Sequence, residues 1–409
     1  MKRDKKEIFI PWLVILYTWP FFPAWVTLLQ RNWLMLPFMA AVGFLFVPDY
    51  FRSKTFIRSL FFFFVLIFGF LIGSHYYSSI VLLFCSICSY IAVSAYAWYF
   101  SKMADETQRK LLSFATILFI VFSTLASYYI CRSYPNIIRY SANGENEDAY
   151  RAFVISLQRY GLSSFDVVHA LPILIPVLIL GFKSVLFSVW KKFFFLALAV
   201  ICVFQTYISG SATPFLLSIL VFIASLVVHV GSLRSNYRAF VIFITLCFIF
   251  LSPEVLSKVI SFISSILGAD SGELQMRLTN VDEAITTGST DTGDMGARVN
   301  LYQLSLNAFY SNILFGSRTM PLGGHSFMLD TLGAYGLVGF LMLLSFVVSL
   351  LKNIINQIPP KYVPFYGLSI FAAIIMLATK NTGTWGTWCF LLIISPVFLQ
   401  YIISTSSKK

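Results

Sequence analysis

The stretch GSRTMPLGGHSFMLDTLGAYGLVGF, Gly316 to Phe340, carries one of the chain's four histidines, His325, behind two glycines and five residues ahead of Asp330. An imidazole can take or give a proton near neutral pH. Ser326 has the residue type of a helix N-cap, and the glycines before it let the chain turn sharply into that cap. A helix start presents unbonded N–H groups and a partial positive charge, which suits an anion such as a phosphate. Arg298, upstream in GARVNLYQLSLNAF, adds a planar fork for bidentate contact with the same anion. The predicted chemistry is therefore an imidazole base or donor beside an anion. Asp330 either orients that imidazole or complements the helix dipole. The plain alternative is that His325 only caps the helix or fills an interface.

These residues need elements to hold them. Of the 409 residues 58% are hydrophobic and only 11% charged, and the mean hydropathy is +0.81. That excludes the soluble globular class and points to an all-α polytopic membrane protein, a single transmembrane domain over 1–409. A helix needs about 20 apolar residues to cross the hydrocarbon. Twelve segments are predicted to do so: 8–29, 33–48, 59–74, 79–99, 111–130, 166–182, 193–209, 214–230, 239–253, 326–351, 362–379 and 387–404. The first follows MKRDKK and lacks a small-residue cleavage site, so it reads as an uncleaved anchor.

Charge orients this layout. With both termini on the cytoplasmic side, 19 of the 29 Lys and Arg residues fall inside, but only 5 of the 17 acids. This is the positive-inside bias of a membrane protein, and it accounts for the net charge of +12 without nucleic acid as a partner. The outer face holds the polar sequence, in one loop over 131–165 and a larger one over 254–325. Within the second, EVLSKVISFISSIL reads as a helix lying in the interface. ARVNLYQLSLNAFYSNILFG is predicted amphipathic, with Leu301, Leu304, Ala308 and Phe309 opposite Asn300, Gln303, Asn307 and Ser311. Gly333, Gly336 and Gly339 form a small-residue stripe that lets another helix approach. Asp166 and His169 join His325 and Asp330 near outer helix ends, whereas the middles of the spans are almost free of ionisable groups. Eight outer arginines stand against two outer lysines, Lys258 and Lys380. Arg132, Arg139, Arg277 and Arg318 are the further candidates for an anionic substrate. Five of the six cysteines lie in apolar segments, without metal-ligand or disulfide spacing, so they read as small buried residues.

The order of elements from Gly296 to Phe340 resembles the C-terminal signature of the Wzy-type O-antigen polymerase and O-antigen ligase superfamily. It runs from an arginine opening a helix, through an aromatic and a turn ending in Gly, to a His followed by a small polar residue and a glycine-spaced membrane helix. Two departures stand out. YISGSATPF, ending at Phe215, lacks the Ser-Arg pair often found there, and the turn reads FGSRT, where Arg318 offers a substitute guanidinium. The resemblance implies a glycosyltransferase on the periplasmic face of the bacterial inner membrane. Its donor and acceptor would be undecaprenyl-pyrophosphate-linked oligosaccharides. His325 would be the base, with Arg298 and the other arginines near the pyrophosphate. No cofactor and no metal are expected, and a chain-length regulator is a possible protein partner. Polymerase is favoured over ligase, and a lipid-linked oligosaccharide flippase is the rival from another class. A flippase should line a membrane cavity with charge and lack so long an outer loop.

The topology is open to direct test. Reporter fusions at Gly144 and Thr287 should both report the outer face, and cytoplasmic reporter activity at either would overturn the layout.

Overall fold

Backbone that crosses hydrocarbon must satisfy its own N–H and C=O groups, and every regular element among the described residues is helical. The structure is a computed structural model. It describes residues 10–12, 14, 32–71, 80–134, 137–140, 153–154, 156–185, 187–231, 257–258, 261, 279–280, 282–283, 293–317, 322–380 and 386–407. The helices are α1 (Asn32–Phe46), α2 (Lys54–Leu71), α3 (Ile80–Lys102), α4 (Glu106–Ser133), α5 (Phe165–Lys183), α6 (Val189–Ile208), α7 (Ala212–Val227), α8 (Gly293–Ser311), α9 (Phe327–Ile355) and α10 (Val363–Thr379). A last helix, α11, joins Gly386–Cys389 to Ser395–Ser407 through a π-helical turn at Phe390–Ile394.

Eight of these helices are long and apolar enough to cross a membrane, and α1 and α7 are shorter apolar helices. Ten of the twelve expected spans thus coincide with helices; 8–29 and 239–253 lie largely or wholly outside the described residues, as does EVLSKVISFISSIL. The chain is a polytopic membrane protein. Its surface agrees: α2 buries Phe62, Phe63 and Leu66 but turns Phe61, Phe64, Phe68 and Leu71 outward. Water would not tolerate that face, and lipid does. Cys85, Cys88, Cys202 and Cys389 are buried and Cys131 is half-buried, none in a disulfide.

α5 is the axis. Its residues from Val167 to Gly181 are all buried, including Pro172 and Pro176. It packs against α6, α7, α10 and α11, while α4 lies against α6 and α11, α1 against α3, and α2 against α9. Two ends of the bundle separate. At one, Lys183 Nζ donates to the carbonyls of Leu226 and Val228, closing the last turn of α7. At the other, the start of α5 meets the start of α11, where a Cβ on Gly386 would lie 2.9 Å from the Asp166 carbonyl.

α8, read from the sequence only as an amphipathic helix of the outer loop, runs parallel to the first half of α9. Ser305 meets Asp330, and the turn after α8 meets Leu337 and Val338. At about 1.5 Å per residue, that turn lies roughly 14 Å along α9 from Phe327. There the backbone of α9 is broken: Gly336 has φ +62° and ψ −164°. The expected glycine stripe is therefore not a uniform helix face. Gly333 admits the Ser305 carbonyl and Gly339 faces Val65 of α2, but Gly336 is a break filled by the backbone of Leu314.

Only glycine adopts the Gly336 conformation readily, and a Cβ there would sit 2.4 Å from the Leu314 carbonyl group. Gly336→Ala should add about 1–3 kcal/mol of backbone strain and lower the thermal midpoint of the purified protein. Gly367→Ala, whose Cβ meets nothing within 4 Å, should leave it unchanged. An unaltered midpoint for Gly336→Ala would mean that the helix is not interrupted.

Candidate functional site

The site is built where α8 and the start of α9 lie together. Arg298, Tyr302 and Ser305 recur at helical spacing on α8 and face inward, half-buried, half-buried and buried. The exposed face of α8 carries Asn300, Gln303, Asn307 and Ser311, as expected. Leu304 is the correction: it is 38% exposed, and Ser305 is buried in its stead. The reason is Asp330, whose Oδ1 accepts from Ser305 Oγ at 2.6 Å. A buried carboxylate needs a donor more than the interface needs another leucine.

The start of α9 follows from its sequence. Ser326 Oγ accepts from the Leu329 N–H at 3.2 Å, the predicted N-cap. The glycines before it do what was expected: Gly324 has φ +68°, and Gly323 passes so close to α8 that a Cβ would meet the Leu301 carbonyl oxygen at 2.0 Å. Ser305 Oγ also accepts from the Gly323 N–H at 3.1 Å, and Asp330 Oδ1 from the Gly324 N–H at 3.2 Å. Asp330 thus clamps the turn that carries His325 onto α8. Its second oxygen, Oδ2, is buried without a hydrogen-bond partner.

The helix start itself is less open to an anion than its sequence implies. The Phe327 N–H donates to the Lys380 carbonyl at 3.2 Å and the Asp330 N–H to the Ser326 carbonyl at 2.8 Å. With the Phe327 and Leu329 N–H groups taken up, an anion here would have to be met mainly by cationic side chains, of which Arg298 is one. Tyr302 stands one turn on, its hydroxyl donating to the Thr379 carbonyl at 3.1 Å and its ring 6.1 Å from the half-buried His325 ring. Burial pushes the Tyr302 phenol above its usual range, with Arg298 pulling it down and Asp330 pushing it further up. Both charges therefore act on this residue, and Arg298, Tyr302, His325 and Asp330 form one cluster.

Two more residues join it. Lys380, directly after α10, is only 8% exposed. His169 of α5 is fully buried, and the charges of Lys380 and Arg298 both act on it. Of the other expected arginines, only Arg132 has its side chain among the described residues. Arg132 is exposed at the last turn of α4, over the ring of Tyr128 at 5.9 Å. Arg139 lies in the short turn Ile137–Tyr140 with its side chain outside the described residues, as are Arg277 and Arg318 altogether. Among the described residues no group of three His, Cys, Asp or Glu side chains could hold a metal ion.

Sequence reasoning passed over Tyr302, Ser305 and Lys380 as site residues. The spacing of four and seven residues from Arg298 was the signal for the first two; nothing local marks Lys380, which is brought in by the packing of α10. No protein-family model, curated protein or solved structure matches the chain.

Ser305→Ala removes one donor to a buried carboxylate and the acceptor for Gly323, a loss of about 1.5–3 kcal/mol. Amide exchange at Gly323 and Gly324 should speed up by about tenfold or more, with no change near the Thr55, Ser349 and Asn353 hydrogen bonds at the far end. Unchanged exchange at both glycines would refute the clamp.

Proposed function

We propose that this chain is an O-antigen-type polysaccharide polymerase of the bacterial inner membrane. It would join undecaprenyl-pyrophosphate-linked repeat units at the periplasmic ends of its helices, with both chain termini in the cytoplasm. The observation that carries this reading is the cluster of Arg298, Tyr302, His325 and Asp330 across α8 and α9. These are the elements whose order resembles the polymerase and ligase signature.

In this reaction the acceptor sugar's hydroxyl attacks the donor's anomeric carbon. The bond to pyrophosphate breaks, its electron pair leaves with undecaprenyl pyrophosphate, and the hydroxyl proton passes to a base. Arg298 stabilises the charge that develops on the leaving group, where a fixed cation in a site shielded from water is most effective. His325 is the base, and positioned acid–base help of this kind contributes on the order of 10²–10⁴-fold. Asp330 holds the His325 turn in register. The reaction needs no metal.

Deleting the gene should leave lipopolysaccharide with a single repeat in place of a ladder. A ligase would instead strand polymer on undecaprenol, a flippase would strand single units on the cytoplasmic leaflet, and a normal ladder would exclude all three. Arg298→Ala and His325→Ala should each cripple polymerisation while the protein still accumulates in the membrane. Arg298→Lys should rescue poorly, because a point charge cannot reproduce the fork. A normal ladder from His325→Ala at normal expression would reduce that histidine to a structural role.

A further inference from the structure

Beside this cluster the fold gathers groups from α5 and α10 that the reaction above leaves unused. His169 is fully buried, five residues into α5. Its ring lies against Phe165, with centroids 3.7 Å apart, and its Nδ1 is 2.8 Å from the Phe165 carbonyl oxygen. A carbonyl only accepts, so Nδ1 carries the proton of that bond and Nε2 is left as an acceptor. Nε2 is buried and has no hydrogen-bond partner. A buried polar atom left open in this way calls for a donor.

The cation acting most strongly on that imidazole is Lys380, followed by Arg298. A lysine at the end of a membrane helix ordinarily extends its ammonium toward water, yet this one is 8% exposed. Its backbone is fixed on both sides. The Lys380 N–H donates to the Met376 carbonyl at 2.8 Å, and the Lys380 carbonyl accepts the first N–H of α9 at 3.2 Å. One residue earlier, the Thr379 carbonyl accepts from Tyr302. The lysine is therefore tied to α8 and α9 at the level of the cluster.

We propose that Lys380 is a ligand, with Arg298, for the phosphate-bearing end of the lipid-linked donor, and that His169 is the residue that positions it. On anion binding the ammonium would donate one N–H to Nε2, the acceptor left open in this structure, and another to the anion. The identity of the ligand rests on the proposed function; the pairing of Lys380 with His169 does not.

The test uses the full chain in phosphatidylcholine nanodiscs, titrated with undecaprenyl pyrophosphate. Lys380→Met should weaken binding about 10- to 100-fold, the usual range for one charge-assisted contact, and Lys380→Arg should retain most of it. His169→Gln sets an amide oxygen near the Nε2 position and should bind almost as the parent does. His169→Asn keeps a donor for the Phe165 carbonyl but no acceptor at Nε2, and should weaken binding as much as His169→Ala. The opposite ranking, with Asn tolerated and Gln not, would make His169 a structural residue only and overturn its positioning role. Should Lys380→Met fail to fold, the Gln and Asn pair still decides. Unchanged affinity in Lys380→Met would overturn the proposal, as would equal competition by phosphatidylglycerol discs, which would mark a lipid-headgroup site. Lys380-dependent binding in a protein whose deletion leaves a normal ladder would remove the polymerase reading and keep the subsite. A lost ladder with binding indifferent to Lys380 would do the reverse.

Discussion

Everything in the cluster hangs on an exchange of backbone hydrogen bonds where α9 is interrupted. At Gly336 the helix stops following its own ladder, and Leu337 and Val338 turn their N–H groups to the carbonyls of Ile313 and Leu314, at 2.8 and 3.1 Å. In return the Gly333 carbonyl accepts from the Ser317 N–H at 2.8 Å. Inside a bilayer each of these groups would cost several kcal/mol if left open. The turn after α8 is therefore held by the groups that the break releases, and the break is tolerable only because the turn fills it. Gly316, at φ +75°, is pressed against the Ala334 backbone in the same joint. Anchored at its far end in this way, α8 holds Arg298 and Tyr302 level with the start of α9.

That placement changes which groups can face an anion. A free helix start would offer its first N–H groups. Here the Phe327 and Leu329 amides are committed to the Lys380 carbonyl and to Ser326 Oγ respectively. The same bond that uses up the Phe327 amide brings Lys380 into the cluster. A backbone donor is taken up and a cation brought in, so the positive charge beside the helix start sits on the Arg298 and Lys380 side chains. Asp330 offsets part of that charge from within the protein, at 1% exposure.

Much of this was legible from residue order, and the reasons for the rest are physical. Long apolar runs announced the spans because hydrocarbon imposes length and composition together. Ser326 was readable as a cap, and Gly323 and Gly324 as a turn, because those roles are decided within four residues. The break at Gly336 was not readable: a glycine in a glycine-spaced helix looks like a packing stripe until a second backbone occupies it. Leu304 was misassigned because the buried face of α8 is chosen by Asp330, 25 residues on. Lys380 could not be found at all, since an outer lysine after an apolar run looks like an interfacial anchor. His169 was seen at the outer end of its helix, but its relation to Lys380 depends on contacts more than 200 residues apart in the chain.

The central position of α5 has a consequence for how the molecule comes into being. This helix has no lipid-facing side in the finished bundle, yet two of its main neighbours, α10 and α11, follow it by about 200 residues. At the usual pace of synthesis that is a wait of roughly 10–40 s. In that interval α5 rests in the bilayer as an ordinary apolar span, with His169 not yet under the charge of Lys380. Its uniform hydrophobicity, from Val167 to Gly181, makes the wait tolerable, because lipid can stand in on every side for helices not yet made. The cluster is thus assembled by arrival: the ribosome delivers Arg298, then His325, then Lys380 to a helix already in place, and the cluster closes only with the last of them.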